Sequence, residues 1–391
     1  MPHERSRHIQ PRMEAAAKLW PVIGLIGPRQ SGKTTLLTRL LEIQNVVSLD
    51  DLETRTEAAT SPRPFLAKIT PPLVIDEAQK APALFDAIKY SVDRRKISGS
   101  YFLTGSSSFS QKIGIRESLT GRIGLFELHP LTLSELERKV PSTRNFKMKS
   151  TEQARFEIES WGQRMISGGM PVPAFMRSAQ ERQLYWSSWL ETTIYRDLAP
   201  FIPGKFDPDI AFSLLNRMVR VIEDGEIPTL KHFSQPARTV RKYLDAMCEI
   251  FLLKRFLCHE SGTGKDIWYF FDSGLLSHLL KNTSGEAATL GLCRHFLMNE
   301  ISARHGFMGA RFDRTYYKTA RSDLVDFVIN GIPFKVVPSV SGITNQRGWQ
   351  EKPLLSAMRK LNSKTGFLIG PTNKIELPKK GVGLIPWSYW S

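Results

Sequence analysis

Gly27-Pro-Arg-Gln-Ser-Gly32-Lys33-Thr34 sets two glycines five residues apart and follows the second at once with a lysine and a hydroxyl residue. Residues of these types in this spacing, G-x-x-x-x-G-K-[ST], suit one task, the cradling of a chain of phosphates. Glycines let the backbone turn tightly enough for successive N–H groups to converge on an anion. Lys33 then reaches the β- and γ-phosphates, and the Thr34 hydroxyl ligates Mg²⁺. Gly27, Pro28, Arg29, Gln30, Ser31, Gly32, Lys33, Thr34 and Thr35 are therefore the expected nucleotide-binding residues, with ATP and Mg²⁺ as cofactors. The apolar run Val22-Ile-Gly-Leu-Ile26 before the motif reads as a buried strand. Leu36, Leu37, Leu40 and Leu41 after it read as a helix whose positive N-terminal end faces the same anion.

A second apolar run, Leu73-Val-Ile-Asp76-Glu77, ends in two carboxylates. It has the form of a Walker B strand, which hands acids to the C-terminal edge of a sheet, where open α/β sheets bind ligands. Asp76 is expected to hold the metal with Thr34, and Glu77 to orient and polarise an attacking water. Ser100-Tyr-Phe-Leu-Thr104 predicts a further strand, with Thr104 or Ser106 at its tip placed to sense the terminal phosphate. Arg122 follows in Ser118-Leu-Thr-Gly121-Arg122. It acts on a neighbouring chain's nucleotide or docks on its own chain, and the spacing does not choose. The catalytic set read from these patterns is Glu77, Lys33, Arg122 and Thr104.

The elements that position these residues belong to a chain too long for one ordinary core, at 391 residues. Cys248, Cys258 and Cys293 show neither paired nor zinc-ligand spacing and read as thiols of a reducing compartment. No apolar stretch approaches the roughly 18 residues of a membrane span, and the basic, proline-broken N-terminus lacks a signal-peptide core. A cytoplasmic protein without membrane association is expected. The net charge of +16 is uneven: 286–391 holds 15 Lys and Arg against 7 Asp and Glu, whereas 206–285 holds 10 of each. A basic surface gathered at one end favours a polyanion, nucleic acid first. A solvated basic face is the competing account.

GPRQSGKTT, VIDEAQKAPALFDAIK, YFLTGSSS, LTGRIG and HPLTLSEL occur in that order. Together they resemble prokaryotic AAA-type ATPases that carry a C-terminal domain of uncharacterised function. The resemblance continues through Gly168-Gly-Met-Pro171, Tyr195-Arg-Asp197 and Tyr269-Phe-Phe-Asp272-Ser-Gly274. It implies a P-loop parallel sheet with helices, then a winged helix, then a small α/β fold like the PD-(D/E)XK nucleases. That nuclease pattern has a helix Glu, an Asp after a strand and a Glu-x-Lys on the next strand, which hold a divalent metal and activate water. Here Arg294 stands at the helix position with Glu300 two turns on, Asp326 is kept, and Lys335 and Val337 replace the Glu-x-Lys pair. One carboxylate among cations does not hold Mg²⁺, so this domain is expected to be catalytically dead.

The chain is accordingly expected to divide into an ATPase domain (1–140), a linker and helical segment (141–205), a winged-helix-like domain (206–285) and the nuclease-like domain (286–391). Tyr185, Trp186, Trp189 and Tyr195 recur as a buried helical face. Between Pro228 and Phe251 the pattern is helix, turn, helix. Val240, Leu244, Met247 and Phe251 face inward, and Arg238, Arg241, Lys242 and Asp245 lie on the other face. An apolar back and basic front suit a recognition helix, although such modules also dock proteins. Residues 253–270 are expected to pair as two strands around Gly262-Thr-Gly264. Arg311, Arg314, Lys318 and Arg321 add cations to the last domain, with Tyr316 and Tyr317 offered for base stacking. The leading reading is an ATP-hydrolysing switch or motor that engages DNA or a protein partner. A homo-oligomer is required if Arg122 works in trans. The alternatives are a nucleotide-gated interaction protein with negligible turnover and an active ATP-dependent nuclease. A small-molecule P-loop kinase fits poorly with Asp76-Glu77.

Overall fold

In the computed structural model the described residues are 5–108, 119–140, 158–281, 285–309, 315–319 and 324–389. They form two compact units. The first comprises Met1–Leu131 together with Glu249–Phe251 and Ala303–Ala310. Its five strands are β1 (Val22–Ile26), β2 (Asn45–Ser48), β3 (Leu73–Asp76), β4 (Tyr101–Gly105) and β5 (Ile123–Glu127). All pair in parallel, in the order β2-β3-β4-β1-β5. Both sheet faces are covered, which is why the central strands β1, β3 and β4 are continuously buried rather than alternating, whereas β5 at the edge alternates. Alternation survives in the cores that neighbours enter. Val22, Leu73, Ile75, Tyr101 and Leu103 pack on one side with Phe65, Phe85 and Ile88 from the helices. Ile23, Leu25, Val74 and Phe102 pack on the other with Ile9, Met13, Leu36 and Leu37. Because every strand runs the same way, the expected P-loop, the Asp76-Glu77 pair and the β4 tip share one edge. The order also inserts β4 between β1 and β3.

The second unit comprises Thr132–Cys248, Leu252–Ser302 and Arg311–Ser391. Among its helices are Ile158–Ser167, Ala179–Thr192, Pro208–Glu223, Ala237–Glu249 and Glu286–Met308, the last of which ends in the residues assigned to the first unit. Its strands are β6 (Leu253–Cys258), β7 (Ile267–Phe270), β8 (Thr315–Lys318), β9 (Leu324–Ile329), β10 (Ile332–Val336), β11 (Thr365–Gly370) and β12 (Gly381–Pro386). They build one mixed sheet in the order β12-β11-β10-β9-β8-β6-β7. β6 and β7 pair antiparallel, as the hairpin expected around Gly262 and Gly264 does. β6 also pairs in parallel with β8, through Leu257 against Thr315 and Cys258 against Tyr316. The stretches 206–285 and 286–391, read from sequence as separate modules, are thus stitched by strand hydrogen bonds into one sheet. A turn at Asn330 (φ 51°) and Gly331 (φ 76°) closes the β9-β10 hairpin, as the twist of antiparallel strands favours. Of the expected aromatic stripe, Trp186 and Trp189 are buried and Tyr195 is exposed.

Candidate active site

Gly27 leaves β1 where an added Cβ would lie 2.4 Å from the Leu128 carbonyl oxygen, so no larger residue fits. The chain then turns through left-handed conformations at Gln30 (φ 62°) and Gly32 (φ 93°), the second of which glycine adopts without steric cost. Such a turn points successive N–H groups into a common concavity. The helical segment 33–40 opens directly from it. Lys33 is buried, and its ammonium donates to the carbonyl oxygens of Gly27 (3.0 Å) and Pro28 (2.8 Å). The loop therefore holds its own cation over the concavity. Gln30 and Thr35 are exposed, and Arg29 is half-buried.

The Thr34 hydroxyl donates to Asp76 Oδ1 at 2.9 Å. That pairing unites the two residues expected to hold Mg²⁺, across 42 positions of sequence. A hydroxyl and one carboxylate are the hard oxygen donors Mg²⁺ prefers, with phosphate and water completing its shell. No group of three His, Cys, Asp or Glu that could hold a metal ion by itself occurs among the described residues. The residues present fit the cation in this role.

β4 supplies the connections that sequence reading left open between Thr104 and Ser106. Thr104 Oγ1 donates to Asp76 Oδ1 and accepts the Glu77 N–H at 3.2 Å. Ser106 donates to Glu77 Oε2 through its hydroxyl (2.7 Å) and its N–H (3.3 Å), and Gln79 Nε2 donates to the same oxygen. Glu77 Oε1 makes no hydrogen bond among the described residues. Glu77 also has a left-handed backbone (φ 56°, ψ 42°), a conformation that costs a non-glycine residue on the order of 1 kcal/mol or more and clusters at active sites. One carboxylate is thus fixed at the metal position. The next presents a single open oxygen.

Arg122 forms a bidentate pair with Asp93, Nε to Oδ1 at 2.6 Å and Nη2 to Oδ2 at 3.0 Å, and donates to the Thr120 carbonyl at 3.1 Å. The guanidinium lowers the Asp93 carboxyl below its ordinary value. In this conformation Arg122 is docked on its own chain. Sequence reasoning missed Arg7, a buried arginine that donates to the carbonyl oxygens of Ser31 (3.0 Å) in the loop and His129 (2.5 Å) after β5. One arginine in a basic N-terminus carries no sequence signal. Only its burial does.

In the second unit Asp326 is fully buried. Its Oδ1 accepts from Arg294 Nε at 2.5 Å and its Oδ2 from the Val336 N–H at 2.7 Å. Glu300 instead accepts the Leu133 N–H at 2.7 Å. Lys335 donates to the Leu324 carbonyl at 3.3 Å, and Val337 is core. The stacking expected of Tyr316 and Tyr317 is corrected here: both rings are buried, Tyr316 bonded through its hydroxyl to the Lys265 carbonyl and Tyr317 packed in the sheet's core. Alternation in an exposed strand would have freed one of them, but the turn through Gly264 and Lys265 lies against Tyr316 while the core takes Tyr317. Arg238 and Arg241 are exposed on the helix Ala237–Glu249, and Lys242 donates to the Pro203 carbonyl at 2.5 Å. Arg311, Arg314 and Arg321 lie outside the described residues.

A family model for the AAA domain matches residues 20–137. Those residues form an AAA-type P-loop domain. The chain is 30% identical over 286 residues to the uncharacterized proteins Mb2031c of Mycobacterium bovis and Rv2008c of Mycobacterium tuberculosis, a match covering 69% of this chain and 59% of each relative. It is also similar to the Walker-type ATPase PABY2304 of Pyrococcus abyssi, at 14% identity and a TM-score of 0.44, covering 71% of this chain and 98% of that one. A RuvB of Thermotoga maritima matches at 18% identity and a TM-score of 0.32, over 66% of this chain and 90% of that one. No described helix is long and apolar enough to cross a membrane.

Proposed function

We propose that the chain hydrolyses ATP and uses the nucleotide state to change how its C-terminal half engages nucleic acid or a protein partner. The observation that carries the hydrolytic reading is Glu77, oriented through Oε2 by Ser106 with Oε1 open, one residue from the Asp76–Thr34 pair. In this reading Lys33 leaves the Gly27 and Pro28 carbonyls for the phosphates. Glu77 Oε1 accepts a hydrogen bond from water and draws its proton as the water oxygen bonds to the γ-phosphorus and the bond to the bridging oxygen breaks. Mg²⁺ held by Thr34 and Asp76 would neutralise charge on the β- and γ-phosphate oxygens. Coupling is supported by two segments from late in the chain that pack within the first unit. The Ser108 N–H, just past β4, donates to the Glu249 carbonyl at 2.9 Å, and Phe251 joins the core beside Leu103 and Leu119. The Arg294–Asp326 pair supports a nuclease-like fold that does not cleave.

The test is steady-state ATP turnover. Wild type is expected to hydrolyse ATP, Lys33→Ala to lose nucleotide binding, and Glu77→Gln to bind ATP while turning over at least about a hundredfold more slowly, the usual contribution of a positioned base. Rapid hydrolysis by Glu77→Gln would remove Glu77 from this role. Binding without turnover in wild type would leave a nucleotide-gated interaction protein.

A further inference from the structure

The second unit contains a groove of about 1340 Å³. Six cationic side chains line it: Lys231, Arg241, Lys265, Arg294, Lys318 and Lys335. Only two carboxylates, Glu226 and Asp266, line it as well, and both are already paired. Asp266 is bound by Arg255, and Glu226 lies 3.4 Å from Lys231 and 3.1 Å from His232. Arg241, Lys265 and Lys318 have no ion pair among the described residues.

Arg294 differs from the rest in being only 5% exposed. Asp326 and its own helix hold it in place, and only its Nε is used by that carboxylate; neither terminal nitrogen makes a hydrogen bond among the described residues. A buried guanidinium with two open, coplanar donors calls for an acceptor of matching geometry, a phosphate or a carboxylate. The remaining cations come from separate stretches of chain around positions 231–241, 265 and 318–335, so the charge is spread along the groove rather than focused on one anion. The groove also exceeds the roughly 300–1,000 Å³ of an ordinary small-molecule site. A ligand that repeats its negative charge fits both facts.

We propose that this groove binds a phosphodiester chain, a nucleic-acid backbone, with Arg294 as the fixed donor and Arg241, Lys265, Lys318 and Lys335 neutralising successive phosphates. The ion pair that occupies Asp326 makes it a holding site. The proposal deepens the nucleic-acid arm of the function above and rests on that reading.

Fluorescence anisotropy of a labelled oligothymidylate and of a labelled duplex, with the full chain and no nucleotide present, tests it. Binding to either supports the groove, and the two probes separate strand from duplex. Affinity should fall with salt. Lys265→Glu/Lys318→Glu should weaken binding by about tenfold or more and flatten the salt dependence by about one to two counterions. Arg294→Lys keeps a cation beside Asp326 but loses the planar pair of donors, and should weaken binding about fivefold with its thermal midpoint little changed. Lys360→Glu, exposed at the end of the helix Arg347–Lys360 and outside the groove, should bind as wild type does. The proposal is overturned if wild type binds neither probe, if Lys360→Glu abolishes binding that the groove variants retain, or if polyglutamate displaces the oligonucleotide as well as unlabelled oligothymidylate does. Because no ATP is present, these outcomes stand apart from the Lys33→Ala test of the ATPase reading.

Discussion

Glu77 works through one oxygen because Ser106 and Gln79 hold the other. A carboxylate left to rotate would sample many geometries, and a hydrogen bond to a charged group, worth about 1.5–3 kcal/mol, restricts it to one. Ser106→Ala is therefore expected to lower kcat for ATP by roughly tenfold or more while KM changes little, since the hydroxyl touches the base rather than the phosphates. Turnover equal to wild type would show that Ser106 does not position Glu77. Arg7 acts at the same scale by a different means. Its guanidinium ties the loop carbonyl of Ser31 to that of His129, so the P-loop is braced from behind by a residue that never faces the nucleotide motif in sequence.

Among elements, the clearest union is that of Gly168-Gly-Met-Pro171 with Tyr269-Phe-Phe-Asp272-Ser-Gly274. Asp272 caps the helix Ser273–Leu279 by accepting the Gly274 N–H at 2.7 Å, and accepts the Gly169 N–H at 2.8 Å across 103 residues. A side chain at Gly168 would meet Asp272 Oδ1 at 1.9 Å, which is why the loop needs glycine there. Burial raises the Asp272 carboxyl from its ordinary 3.8 to about 6, with the backbone donors opposing. A raised carboxyl means that the folded state holds its proton more tightly. Its stabilisation is then fully present below about pH 4 and is lost as pH rises through about 6, by up to about 3 kcal/mol. Comparing thermal midpoints of wild type and Asp272→Asn from pH 4 to 7.5 isolates this group. Wild type should lose ground to the variant as pH rises to about 6 and then run parallel to it. A gap independent of pH would remove the titration from Asp272.

For the whole molecule, the open question of sequence was whether Arg122 serves its own chain or a neighbour. Its bidentate pairing with Asp93 at the end of the helix Ala83–Arg95 favours its own. Turnover per chain is expected to be independent of protein concentration. Mixing Arg122→Ala with Glu77→Gln, which keeps an intact Arg122, should produce no more turnover than the separate variants. Recovery of activity in the mixture would establish an arginine acting between chains, and with it an obligate assembly.

The phosphate loop, the acidic strand end and their order were legible from sequence because each is a local pattern: glycine spacing fixes a turn, and an apolar run fixes a buried strand. The hydroxyl–carboxylate pairing of Thr34 and Asp76 follows from chemistry once both motifs are read. What required the tertiary structure was every contact set by strand order or burial. The insertion of β4 between β1 and β3 brings Thr104 to Asp76 and Ser106 to Glu77, and no local pattern reports which strands are neighbours. Tyr316 and Tyr317 are both offered for base stacking by sequence, and only packing shows both rings buried. In sequence Arg294 is a cation standing where a metal-holding helix Glu is expected. Packing against Asp326 removes it from water, and a charge in that setting is held by its partners rather than by solvent.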